Sequence, residues 1–68
     1  MVPVRELQLR QVAGDRTRIT IIERDPQTDR IAAAVRLTRP TTEVLREVEK
    51  WEQRGYTLTQ INGEYVND

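Results

Sequence analysis

The sequence predicts a small α+β protein, an antiparallel β-meander with one amphipathic helix packed on one face, in the order β-β-β-α-β-β. Three observations carry this. Residues 40–55 hold the one stretch with helical periodicity. The segments on either side of it alternate with a period of two and are rich in β-branched residues. Near the end of the chain, Asn62-Gly63 is the turn dipeptide of a two-residue hairpin.

In the helix, Val44, Leu45, Val48 and Trp51 fall on one face at 3.6 residues per turn. Pro40, Thr41 and Thr42 mark its start, and Glu43 sits in the first turn, where the helix dipole favours an anion. Gly55 ends it, being free to take the left-handed conformation. One amphipathic helix cannot bury its stripe alone, so it needs a sheet to lie on.

Residues 4–12 form the first predicted strand, with Leu7 and Leu9 on one side and Glu6, Gln8 and Arg10 on the other. Ala13-Gly14-Asp15 is a turn. The second strand, residues 16–24, places Ile19 and Ile21 on one face and Arg18, Thr20, Ile22 and Arg24 on the other. Residues 25–29 form a loop, in which Pro26 fixes a turn and Asp25 and Asp29 can accept from nearby backbone N–H groups.

The third strand covers residues 31–38. Ile31, Ala33, Val35 and Leu37 take one face, and Ala32, Ala34, Arg36 and Thr38 the other. The alanine run alone favours helix, but Pro40 bars a helix from continuing through it. After the helix, residues 56–61 and 64–66 pair across Asn62-Gly63 as a type I′ hairpin, and Asn67 and Asp68 are expected to fray. Short links make the first three strands a meander. The expected core is Leu7, Leu9, Ile19, Ile21, Ile31, Ala33, Val35, Leu37, Val44, Leu45, Val48, Trp51 and Leu58, with Tyr56 beneath the helix end.

With 68 residues, the chain reads as a single domain spanning 1–68. A chain of this size buries only about 60% of its unfolded surface and gains from self-association or a bound partner. Cys is absent, so neither a disulfide nor a thiolate metal site can compensate. No apolar run reaches the ~20 residues of a membrane helix, and the first residues do not read as a signal peptide. A cytoplasmic location without membrane contact is therefore expected.

Catalytic chemistry has little to work with. There is no His, Cys or Ser, which removes the usual neutral-pH base, the thiol nucleophile and the serine triad. The three glycines are isolated, so no glycine-rich phosphate cradle exists. Glu43, Glu47, Glu49 and Glu52 are interleaved with Arg46 and Lys50 and read as a solvated helix face. The expectation is a non-enzymatic chain with no catalytic residue, cofactor, metal or small-molecule substrate.

Charge is balanced, 11 basic against 11 acidic residues, but unevenly distributed. Residues 1–39 hold eight basic and five acidic side chains, and residues 40–68 hold three basic and six acidic. The sheet face opposite the helix would present Ile22, Ala32 and Ala34 among Arg18, Arg24 and Arg36, with Arg10 able to join them. A small apolar patch with a charged rim is characteristic of protein contact surfaces. These six residues are the candidate partner-binding set, for a protein partner or a homodimer. The expected role is that of a small regulator or assembly factor.

The alternative is a nucleic-acid-binding module using the same Arg-bearing face. Against it stand the zero net charge and the expectation that this face offers no aromatic ring for base stacking.

Overall fold

The computed structural model describes residues 2–66. Asn67 and Asp68, expected to fray, lie outside the described residues. The strands are β1 (Val4–Ala13), β2 (Arg16–Arg24) and β3 (Ile31–Pro40), followed by a 3-10 turn (Thr41–Glu43) and the helix α1 (Val44–Glu52). Strands β4 (Thr57–Ile61) and β5 (Glu64–Tyr65) complete a five-stranded sheet ordered β3-β2-β1-β4-β5.

The antiparallel expectation holds for β1–β2–β3 and for the β4–β5 hairpin, but not for the sheet as a whole. Strand β4 lies parallel to β1, so the sheet is mixed. The reason is the helix. It crosses from the end of β3 back over the sheet, so β4 enters beside β1 and runs in the same direction, the geometry of a crossover connection.

Turn chemistry follows the sequence closely. Asn62 and Gly63 both have positive φ, as a type I′ turn requires, and Gly55 has φ 95° at the helix exit. The Asp25 carboxylate accepts from the backbone N–H of Gln27 at 2.8 Å. No side chain caps either helical segment at its start. Instead Thr41 shares a 3.0 Å hydroxyl hydrogen bond with buried Thr17, tying the turn to β2.

Leu7, Ile19, Ile21, Val44 and Val48 form the buried cluster, with Leu9, Leu37, Trp51, Tyr56 and Leu58 packed against it. Four residues of the expected core lie outside it. Leu45 is 77% exposed, because the buried helix stripe is narrower than the periodicity allowed and runs through Val44 and Val48. Ala33 and Val35 are exposed on the helix side of β3, since only the Leu37 end of that strand reaches the core beneath the helix. Ile31 faces the other way altogether. A register shift sets Glu23 against Ala33 but Arg24 against Ile31, so Ala32 is the extra residue of a bulge and Ile31 turns to the open face.

Trp51 is half-buried against the core, its ring meeting Tyr56 edge-on at 5.3 Å, with the Arg54 guanidinium 4.9 Å from its centroid. The Tyr56 hydroxyl donates to Glu23 at 3.1 Å. Burial first, and then this hydrogen bond, push the Tyr56 phenol above its ordinary value.

Candidate functional site

The site is the sheet face turned away from the helix. Here β1 contributes Glu6, Gln8 and Arg10, and β2 contributes Arg18, Thr20, Ile22 and Arg24. Ala34 and Arg36 come from β3, with Ile31 brought in by the bulge. A second bulge delivers β4. Leu7 pairs with Leu58 but Gln8 with Gln60, so Thr59 is skipped and Gln60 joins the open face. Gln60 pairs with Tyr65 across the hairpin, which carries the Tyr65 ring to the same face, 74% exposed.

Four of the six sequence-predicted residues, Arg18, Ile22, Ala34 and Arg36, line one shallow depression of about 260 Å³. Gln8, Leu9, Arg10, Thr20, Ile31, Gln60 and Gly63 complete its lining. Ile22 lies at its floor and is only 2% exposed. Glu6 is the cross-strand partner of Ile22 and Arg24 its next neighbour on the face, and the two form an ion pair beside it. Ile22 therefore presents almost no surface to a partner.

Arg24 is engaged rather than free. It forks onto Glu6, with Nη2 donating to Oε2 at 3.3 Å and Nε to Oε1 at 3.4 Å, and donates to the Asp29 carbonyl at 3.0 Å. The hydrogen bond to Glu6 is the main cause that raises its pKa. Ala32, expected on this face, lies at the bulge beside Pro3, Asp25 and Pro26, away from the depression.

The remaining cations have no such partners. Among the described residues, no carboxylate forms an ion pair with Arg10, Arg18 or Arg36. Arg10 and Arg18 stand directly opposite each other on β1 and β2, and Arg36 reaches the same depression from β3. Like charges set directly across a sheet destabilise it. Three arginines thus converge on a concave, Gln- and Thr-lined surface and present donors in forks suited to carboxylate or phosphate oxygens.

Two features of the face escaped sequence reasoning. Tyr65 and Gln60 depend on the β4 bulge, which no local pattern announces; uninterrupted alternation from Leu58 would have turned both toward the helix. The Arg10–Arg18 opposition was legible in principle, because the short Ala13-Gly14-Asp15 link fixes the hairpin register within a residue or two.

No group of His, Cys, Asp and Glu among the described residues is arranged to hold a metal ion, and no helix among them is long and apolar enough to cross a membrane. Compared with protein-family models, curated proteins and solved structures, the chain matches none.

Proposed function

We propose that this chain is a non-enzymatic protein-binding module, a small regulator or assembly factor, whose open sheet face receives a partner through acidic side chains. The observation that carries this is the convergence of Arg10, Arg18 and Arg36 on one depression with no carboxylate paired to them among the described residues. The fold gains nothing from opposing Arg10 and Arg18, and residues retained against local stability are characteristic of functional surfaces. Exposed Ile31 lines the same depression and exposed Tyr65 lies on the same face beside Glu6 and Arg24, and Arg and Tyr are among the side chains that dominate protein-contact energetics. The zero net charge favours a localised protein contact over a long polyanion.

Tyr65 also supports a second reading, a nucleic-acid-binding module, because it supplies a stacking ring on the same face as the arginines. Charge reversal tests the first reading. The double variant Arg18→Glu, Arg36→Glu sets a carboxylate against Arg10, so it should melt at or above the parent temperature. It should nevertheless retain the cellular partner of the parent chain at least tenfold less well in affinity capture from its own host. Equal retention would exclude this face. Capture abolished by nuclease would favour the nucleic-acid reading instead.

A further inference from the structure

We infer that the free edge of β3 pairs antiparallel with β3 of a second copy, joining two sheets into one ten-stranded sheet. The two edges of this sheet are unlike. Strand β5 is two residues long and offers almost no ladder, which is one way proteins blunt an edge. Strand β3 is ten residues long, and its run Ile31-Ala32-Ala33-Ala34-Val35, although bulged at Ala32, contains neither charge nor proline, the residues that guard exposed edges. Among the described residues, its outer backbone groups have no neighbouring strand.

The surface beside this edge is apolar on both sides. Ile31 is 54% exposed on the open face and Val35 is 55% exposed on the helix face, where the helix leaves it uncovered. A strand added antiparallel along this edge covers both strips.

Charge and symmetry select a second copy as the occupant. A two-fold axis perpendicular to the sheet keeps each side chain on its own face, so residues of equal parity oppose one another. Centring that axis on Ala34 or Val35 sets Arg36 against an alanine of the other copy and avoids an Arg–Arg opposition. The pairing is isologous and consumes both long edges, so the assembly closes as a dimer. A β3-to-β5 contact could not extend it, because β5 is too short. Two strands of this length form on the order of ten new backbone hydrogen bonds. The contact is small by interface standards, so it is read as a function of concentration.

This inference uses the edge, not the Arg-lined depression, and the two are tested apart. Sedimentation of the full chain from about 10 μM to about 1 mM should show mass rising toward twice 8.0 kDa. Val35→Lys should weaken that association at least tenfold, whereas Arg18→Glu should leave it unchanged while weakening partner capture. Amide hydrogen exchange provides the second reading: alternate β3 amides of the parent should gain protection as concentration rises, and those of β5 should not. A parent that stays at the single-chain mass at every concentration, with β3 exchange independent of concentration, would overturn the inference. So would a dimer lost in Arg18→Glu but kept in a folded Val35→Lys.

Discussion

Leu7→Ala is expected to cost roughly 3–5 kcal/mol of stability. Leu7 has no exposed surface and sits in the central strand, with Ile21 opposite it on one side and Leu58 on the other. The helix residues Val44 and Val48 share its cluster, so no neighbour can collapse into the space without moving the helix. A domain this small begins near the lower end of the usual 5–15 kcal/mol range. The variant should therefore be largely unfolded at 37 °C, and urea unfolding followed by Trp51 fluorescence will show it. A midpoint within about 0.3 M of the parent would mean that the core is not centred on β1.

Ile22→Ala is expected to cost roughly 2–4 kcal/mol, although its residue lies on the face opposite the helix. The alternation pattern assigns Ile22 to a contact surface, where truncation would weaken binding and spare the fold. Its 2% exposure beside the Glu6–Arg24 pair requires the reverse. Truncation also removes the cross-strand neighbour of Glu6, so part of the loss should disappear when Glu6 is already replaced, as in a double-mutant cycle with Glu6→Gln. Thermal unfolding of the four proteins decides this. An Ile22→Ala variant that melts with the parent would return Ile22 to the exposed surface.

What was legible in the sequence was whatever depends on local chemistry. The β2 limits, the Asp25 turn, the Gly55 stop and the positive-φ pair Asn62-Gly63 all follow from residues within a few positions of one another. The cluster of Leu7, Ile19, Ile21, Val44 and Val48 follows from two periodicities that share one face.

What was not legible depends on where elements land. The parallel pairing of β4 with β1 is decided by the path of the helix across the sheet, and no residue in β4 encodes it locally. That same path leaves Val35 and Ala33 uncovered, although their alternation is indistinguishable from that of buried Ile19 and Ile21. The bulges at Ala32 and Thr59 each reverse one side chain's face, sending Ile31 and Gln60 to the open side. Three of the candidate arginines were placed correctly on that side because strand β2 and the middle of β3 are uninterrupted. Their division into engaged Arg24 and, among the described residues, unpaired Arg18 and Arg36 required the positions of Glu6 and Asp29 in space.

The claim that the Arg-lined depression is a docking point for acidic protein side chains is tested most directly by amide chemical-shift mapping. The isotopically labelled full chain is titrated with a hexaglutamate peptide and, in parallel, with a thymidine oligonucleotide of matched charge. The account predicts that the peptide shifts amides at Gln8–Arg10, Arg18–Ile22, Ala34–Arg36 and Gln60, leaves those of α1 unmoved, and loses this effect in Arg18→Glu, Arg36→Glu. Shifts confined to the helix, no saturable shift by millimolar peptide, or saturation by the oligonucleotide alone would contradict it.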